Sequence, residues 1–222
     1  MRTISISDCI RFGWETFKQR PGILMGAFAL VMLIPAIPHI VVPGPEVVPG
    51  QPLPLSTPAQ LLATLVSAVL GLFATIGATT FSLRAHDNIA GVEIGDLWNP
   101  QPFWRFLGAE ILAAIVIFFG FLLIIVPGII AALGLGMVPF TVIDRGAGPI
   151  DALKESWRLT KGHKGQLALL GLALLGLNLL GILALVVGLL VTVPVTWLTI
   201  AHVYRTLSEQ AVRVEPRAAL AA

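Results

Sequence analysis

Charged residues are scarce in this chain: only 12% of its 222 residues are Asp, Glu, Lys or Arg. Soluble domains contain about a quarter charged residues on average. The deficit falls in long uncharged stretches, which are typical of membrane-spanning helices and exclude an ordinary water-soluble domain. The chain also has a single cysteine, Cys9, so neither an intramolecular disulfide nor a cysteine-rich zinc site is expected.

Catalytic motifs are absent as well. The sequence contains no nucleophile elbow, zincin helix, P-loop or dinucleotide fingerprint. No two histidines have metal-ligand spacing, so we expect no metal ion, no cofactor and no catalytic residue. The N-terminus also lacks the features of a cleavable signal peptide, because about twenty residues precede the first apolar run.

Apolar sequence is abundant, at 56% of the residues. Two runs are each long enough for one spanning helix, and two longer blocks of about 38 residues each exceed the hydrocarbon thickness as single helices. The two runs and two blocks are 22–42, 59–83, 106–143 and 167–204. The longer blocks are expected to fold back, the first at Pro127-Gly128 and the second at Gly188. The sequence therefore predicts an all-α membrane protein with six transmembrane helices, arranged as three hairpins in a single polytopic domain over 1–222.

The positions of the basic residues predict the orientation. All 14 Lys and Arg residues lie in the N-terminal segment, in two of the five connections, or in the C-terminal tail. The other three connections contain none, including the proline-rich segment 43–58, which is expected to be a loop outside the membrane. By the positive-inside rule, both termini are expected on the cytoplasmic side.

A short pattern recurs along the chain. Asp8 and Asp151 are each followed by Trp six residues on, Lys ten on and Gly fourteen on, and a weaker copy begins at Asp96. Each copy precedes a predicted hairpin, which indicates three units, each consisting of an amphipathic interfacial helix and a hairpin. The units are about 5–83, 92–145 and 149–207, followed by a C-terminal tail 208–222.

The interfacial helices carry aromatic and basic residues suited to the headgroup layer. Trp14, Trp104 and Trp157 are expected to act as interfacial anchors. The first helix has an apolar stripe of Ile6, Ile10, Trp14 and Phe17, and Ser5 with Asp8 predicts a cap at its start. In the third unit, the basic residues are expected to contact anionic headgroups rather than nucleic acid; they are Lys154, Arg158, Lys161 and Lys164.

The second span has a small residue at every fourth position, from Ala59 to Thr79. Small residues allow helices to approach closely in lipid, so we expect this span at the centre of the bundle. Alternatively, this ladder of small residues forms the interface of a homodimer.

Three polar residues within the spans are candidate functional groups, because such residues are costly in lipid. They are Glu110, Asn178 and His202. Glu110 is expected to pair with Arg105 or Arg145 or to reach the interface, and Asn178 to form an interhelical hydrogen bond. The alternative, functional interpretation is a proton relay between His202 and Glu110.

The segment from Ala152 to Gly162 reads ALKESWRLTKG. It resembles the "AL..SW.LT.G" segment of poorly characterised bacterial six-helix membrane proteins, which are similar to the membrane domain fused to some glycerophosphoryl diester phosphodiesterases. Val126-Pro127-Gly128, Gly13-Trp14 and Pro194 fit the same pattern. The resemblance implies this architecture and a location in the bacterial cytoplasmic (inner) membrane. It implies no active site, because the fused enzymes carry catalysis on a separate soluble domain.

These observations favour a non-enzymatic membrane protein that serves as an accessory, scaffold or regulatory subunit, with a membrane-protein partner or a homo-oligomer. The alternative is a small transporter or lipid-handling protein, in which repeats place a site at the interface between units. A transporter should gather Glu110, Asn178 and His202 around one water-accessible cavity, whereas a scaffold should leave them dispersed or mutually satisfied. An intramembrane enzyme ranks last.

Overall fold

A computed structural model of the chain describes residues 5–44, 57–100, 102–184 and 187–219, with side chains up to residue 212. Within these ranges the regular structure is entirely helical. The α-helices are α1 (Ile6–Gln19), α2 (Pro21–Leu33), α3 (Ile37–Val41), α4 (Pro58–Asp87), α5 (Phe103–Leu123), α6 (Ile125–Leu135), α7 (Val138–Arg145), α8 (Pro149–Thr160), α9 (Lys164–Leu183) and α10 (Leu189–Ala219). Short 3-10 turns occupy Ile34–Ala36, Ile89–Gly91 and Ile94–Leu97.

Five segments of the described chain are long and apolar enough to cross a membrane: Pro21–Val41, Pro58–Asp87, Phe103–Leu123, Ile125–Arg145 and Lys164–Leu183. They coincide with the first five predicted spans, which confirms the prediction of an all-helical, multi-pass membrane protein. The expected sixth span corresponds to α10, which is less apolar than the other five because it carries several threonines, Pro194 and His202, and charged residues from Arg205 onward.

Large apolar side chains cover the outside of the bundle. Ile40, Leu122 and Leu183 are 73%, 68% and 78% exposed. A soluble protein rarely exposes apolar surface on this scale, so these side chains are expected to contact lipid.

The first long apolar block breaks earlier than the sequence predicts. α5 ends at Leu123, and the extended residue Ile124 separates it from α6. The predicted break at Pro127-Gly128 is therefore wrong by three residues. Pro127 lies in the first turn of α6, where a helix tolerates proline because no N–H is needed there. Gly128 instead permits close packing, since a Cβ there would lie 2.7 Å from Cδ2 of the Phe121 ring, and a Cβ on Gly120 would lie 3.0 Å from the Gly128 Cα.

The second long block breaks close to Gly188, as predicted. α9 ends at Leu183 and α10 begins at Leu189. A Cβ on Gly188 would lie 2.5 Å from the Gly181 carbonyl oxygen, so the close approach of the two segments requires glycine. α10 continues to Ala219, so the expected tail 208–222 is helical over its described part, and residues 220–222 lie outside the described residues.

α4 occupies the centre of the bundle over its C-terminal half only. Residues 76–83 are all buried, and α4 contacts α2, α5, α7 and α10. Its N-terminal half is largely exposed, although Ser67 of the small-residue ladder donates a hydrogen bond to the Pro35 carbonyl of the first span. Most of the proline-rich loop that precedes α4, residues 45–56, lies outside the described residues.

The amphipathic elements differ from one another. α8 is a full helix, and α1 is capped by Ser5, whose Oγ accepts the Asp8 N–H at 3.4 Å. The helix expected in the second unit is instead the 3-10 turn Ile94–Leu97, because Gly91 and Gly95 disfavour a longer helix there.

The predicted apolar stripe of α1 packs inward except at one position: Phe17 is buried, and Ile6 and Ile10 pack against the core. Cys9, Gly13, Thr16 and Phe17 are buried, whereas Trp14 of the predicted stripe is 45% exposed. The helix packs along α10, which is possible because Gly13 has no side chain: a Cβ there would lie 2.8 Å from the Val195 carbonyl oxygen.

Each predicted amphipathic element packs against the last predicted span of a different predicted unit. α1 meets α10 at Val195, the turn Ile94–Leu97 meets α4 at Gly77, and α8 meets α6 at Gly134, which lies under the Trp157 ring. These three contact positions are equivalent along the chain: Gly77, Gly134 and Val195 lie ten residues before Asp87, Asp144 and Arg205 respectively.

Candidate functional site

The structure does not bring the three predicted intramembrane polar residues together. Glu110 lines a cleft between α5 and α6, Asn178 lies between α9 and α10, and His202 faces α1 and the end of α4. The three side chains therefore have three separate surroundings, and no described contact links His202 to Glu110.

Asn178 joins α9 to α10. Its Nδ2 donates to Thr196 Oγ1 on α10 at 2.9 Å and to the Leu174 carbonyl at 2.9 Å. Two further buried oxygens, Asn178 Oδ1 and Thr192 Oγ1, have no hydrogen-bond partner among the described residues. Because a polar bond between helices in lipid replaces two unsatisfied groups, this pair suits a structural role.

His202 pairs with another histidine. Its Nδ1 lies 3.1 Å from Nε2 of His86 on α4, and the Phe12 ring of α1 stacks on His202 at 4.1 Å between ring centres. The other nitrogen of His86 lies 3.1 Å from Asp87 Oδ1. A hydrogen bond between two imidazoles needs one donor and one acceptor, so at least one ring is neutral in this arrangement.

One arginine joins the middle of α10 to the C-terminal ends of α4 and α7. Arg205 Nη2 lies 2.5 Å from Asp87 Oδ2, and its Nη1 lies 2.7 Å from Asp144 Oδ1. Tyr204, which is fully buried, donates from its hydroxyl to Asp144 Oδ2 at 2.9 Å. Arg205 thus connects the last helix of each of the three predicted units. We call Arg205, Asp87 and Asp144 the arginine clasp.

The segment with the family-like sequence docks onto the break between α6 and α7. Ser156 is fully buried, donates to the Gly134 carbonyl at 2.8 Å and accepts the Met137 N–H at 3.2 Å. Thr160, also buried, donates to the same carbonyl at 3.2 Å. These side chains satisfy backbone groups that the interrupted helix leaves without partners.

Glu155 holds the same segment from its exposed side. It pairs with Arg145 of α7 at 2.5 Å and with Arg158 at 2.9 Å. The hydrogen bond from Arg158, with the charges of both arginines, holds the pKa of the Glu155 carboxyl below its usual value, against a smaller opposing effect of burial.

Two of the four predicted headgroup-binding cations are already engaged within the protein. Arg158 binds Glu155, and the Lys164 Nζ lies 3.3 Å from the centre of the Trp157 ring, a cation–π contact. Lys154 and Lys161 are exposed. Of the predicted aromatic anchors, Trp104 is 78% exposed and Trp157 is 41% exposed.

Glu110 lines a cleft of about 260 Å³ between α5, α6 and the start of α7. Neither expected cation reaches it: Arg145 pairs with Glu155, and Arg105 donates to the Gly146 carbonyl at 3.0 Å. The expectation that Glu110 forms an ion pair with one of these arginines is therefore wrong, because each finds an oxygen partner nearer the helix ends.

The arginine clasp was not predicted from the sequence. Asp87 and Asp144 each lie at the end of an apolar run, which could have marked them as a matched pair, but their common partner is remote along the chain. Within the described ranges, no three His, Cys, Asp or Glu side chains gather as they would around a metal ion.

Comparisons with known proteins agree with an uncharacterised bacterial membrane family. The profile of a family described as "Protein of unknown function (DUF975)" matches residues 56–211. The uncharacterized protein Rv2560 of Mycobacterium tuberculosis (strain ATCC 25618 / H37Rv) is 28% identical over 224 residues, covering 92% of this chain and 69% of the relative. No solved structure matches the chain.

Proposed function

We infer that this chain, which belongs to the DUF975 family of proteins of unknown function, is a non-enzymatic accessory, scaffold or regulatory protein of the bacterial cytoplasmic membrane. The observation that carries this proposal is the dispersal of its intramembrane polar groups. Asn178 and His202 each bind another side chain, and Glu110 lies apart from both. A transporter instead needs such groups around one shared substrate path.

The proposed topology has six spans in three hairpins, with α10 as the sixth span and both termini in the cytoplasm. The positive-inside rule supports it. The contacts of four arginines also support it. Their partners all lie on one side of the bundle, at or just beyond the C-terminal ends of α4 and α7; the four are Arg20, Arg84, Arg145 and Arg205.

Cysteine labelling of intact cells tests this topology. Cys9 is buried, and burial with the charge of Asp8 raises the pKa of its thiol, so the native chain gives little background. A membrane-impermeant maleimide should label cysteines introduced at Ile124 and Val187, and should not label one introduced at Lys154 until the cells are opened. Labelling of Lys154→Cys in intact cells would contradict the orientation.

The membrane-facing surface supports a role through contacts with other molecules. Exposed apolar residues on α5 and α9 offer surface for a membrane-protein partner or a second copy of the chain. Lys154 and Lys161, together with the paired Arg158 and Lys164, are the proposed contacts for anionic headgroups. We also propose a relationship to the membrane domain fused to some glycerophosphoryl diester phosphodiesterases, on the strength of the Ala152–Gly162 segment.

Native mass spectrometry of the full chain, extracted gently from its own membrane, tests the function. An accessory or scaffold protein should retain a protein partner, or a second copy of itself, in a fixed ratio. The matched test is the Glu110→Gln chain, which should retain the same partner because Glu110 contributes to no described ion pair. A monomer that carries a single small solute, lost in Glu110→Gln, would support the transporter alternative and overturn the proposal.

A further inference from the structure

The Glu110 cleft has the shape and the chemistry of a site for one lipid. Its α5 wall is formed by Glu110, Ala114 and Ile117, which are spaced one helical turn apart and therefore run along one side of the helix. Ala132 of α6 and Gly136, which directly follows α6, form the opposite wall. Small residues on both sides leave a channel of about 260 Å³, and exposed Ala114 and Gly136 show that it opens to the outside of the bundle.

The cleft is polar at one end only. Glu110 supplies a carboxylate, and Pro139 at the start of α7 has no backbone N–H, so it cannot donate to the Leu135 carbonyl four residues earlier. Both Leu135 and Pro139 line the cleft. This end therefore offers hydrogen-bond acceptors with negative charge, whereas the other end, at Ile117, is apolar.

The nearby cations do not neutralise this carboxylate. Arg105 is held by the Gly146 carbonyl, and Arg145 by Glu155. A carboxylate at the edge of the hydrocarbon region is costly unless a positively charged donor meets it. The cleft is thus complementary to a cation that carries N–H groups and an apolar tail.

The depth of Glu110 favours a lipid as the source of this cation. Trp104 and Arg105, in the first turn of α5, are exposed and mark the headgroup level. Glu110 lies between one and two turns deeper, or roughly 10 Å from the helix start at Phe103. An ammonium group can reach it from the headgroup layer while an acyl chain lies along Ala114 and Ile117.

We propose that this cleft binds one molecule of phosphatidylethanolamine, whose primary ammonium donates hydrogen bonds to Glu110 and to the Leu135 carbonyl. The proposal goes beyond the accessory role, because it assigns a specific lipid site to this chain. It also predicts a selectivity: phosphatidylcholine has the same net charge but no ammonium N–H, so it should bind more weakly.

The test is native mass spectrometry of the full chain after exchange with equal amounts of phosphatidylethanolamine and phosphatidylcholine that carry identical acyl chains. The unaltered protein should retain one phosphatidylethanolamine with a preference of about tenfold, as expected for charge-assisted hydrogen bonds that only one lipid can form. Equal retention of the two lipids by the unaltered protein would by itself overturn the proposal, whatever the variants show.

Three variants locate the site. Glu110→Gln should bring the preference close to parity, and Ala114→Leu, which fills the cleft with an apolar side chain, should reduce retention of both lipids. Glu15→Gln removes a carboxylate that lies on α1 and pairs with Arg11, so it should keep the preference of the unaltered protein. A preference that survives both cleft variants would overturn the assignment.

A third exchange, with phosphatidylglycerol, separates this site from general anionic-lipid binding. Phosphatidylglycerol has no ammonium, so its retention should be unchanged by Glu110→Gln. Its loss in that variant would overturn the proposed recognition of an ammonium. Because a lipid and a protein partner add very different masses, this result is independent of the test of the accessory role.

Discussion

The guanidinium of Arg205 lies 2.7 Å from the carboxylate of Asp144, although 61 residues separate the two along the chain. The same guanidinium contacts Asp87, which is 118 residues away. Arg205 is 25% exposed and Asp144 is 21% exposed, so the pair is shielded from solvent more than an ordinary surface ion pair. A single side chain thus fixes the relative positions of α4, α7 and α10.

Replacing Arg205 by Gln should destabilise the protein by about 2 kcal/mol, because it removes charge-assisted hydrogen bonds to two carboxylates and leaves Asp144 partly buried. The measurement is the midpoint of unfolding by dodecyl sulfate in mixed micelles. Arg11→Gln is the matched control, since its pair with Glu15 is exposed and on one helix. Equal midpoints for the two variants would show that the clasp contributes nothing.

Replacing Gly77 or Gly71 of α4 by alanine should have different effects on the stability of the protein. A Cβ on Gly77 would lie 3.2 Å from the carbonyl carbon of Leu97 and closer still to its oxygen, and backbone cannot rotate away. Gly77→Ala should therefore destabilise the protein by about 1–3 kcal/mol. At Gly71 nothing lies within 4 Å, so Gly71→Ala should be neutral or stabilising by up to about 1 kcal/mol. Thermal unfolding of both variants checks this, and a larger loss at Gly71 would contradict it.

Ser156→Ala should cost about 1–3 kcal/mol, because it leaves the buried Met137 N–H without its acceptor and removes one donor to the Gly134 carbonyl. Ser7→Ala, at an exposed position of α1, should change stability little. Hydrogen exchange gives a local measurement, since the Met137 amide should lose protection in Ser156→Ala alone. Unchanged protection would mean that another group satisfies this amide.

The contribution of Glu155 to stability should be lost at low pH. The pKa of its carboxyl is lowered in the folded protein, chiefly by the hydrogen bond from Arg158. Folded Glu155 therefore binds its proton less tightly than the unfolded chain does. Its contribution is complete above the ordinary glutamate pKa of about 4.3 and is lost as the pH falls through the folded-state value.

The check is the unfolding midpoint between pH 7 and pH 3. Glu155→Gln should be less stable than the unaltered chain at pH 7, and the difference should shrink at pH 3. Asp151→Asn, an exposed position on the same helix, should retain the pH dependence of the unaltered chain. A constant difference between Glu155→Gln and the unaltered chain at every pH would contradict the role of its charge.

The span positions could be predicted because they depend on local composition. Pro21–Val41 and Pro58–Asp87 agree with the predicted 22–42 and 59–83 within a few residues, since a run of apolar residues is read without knowledge of the fold. The break at Ile124 was not predicted, because Pro127 was expected to interrupt a helix. Pro127 instead lies in the first turn of α6, where proline is tolerated. The packing face of α1 was predicted except at two neighbouring positions: Trp14 is exposed, and Gly13, which carries no hydrophobic signal, contacts α10.

The polar contacts were less predictable. Asn178 has its hydrogen-bond partner only eighteen residues away, within the same unit. The partner of Arg205 at Asp144 is 61 residues away, and the partner of His202 at His86 is 116 residues away. Their identity depends on how three units pack together, and nothing in the local sequence encodes that arrangement.

The packing of α1 on α10 sets an order on biosynthesis. α1 leaves the ribosome before α10, the helix that covers Gly13, and eight of the described α-helices are synthesised between the two. Until α10 is synthesised, the face of α1 that packs on it remains exposed. A product truncated before Val195 would therefore carry an α1 helix whose buried face is uncovered, a feature by which quality control could distinguish unfinished chains from finished ones.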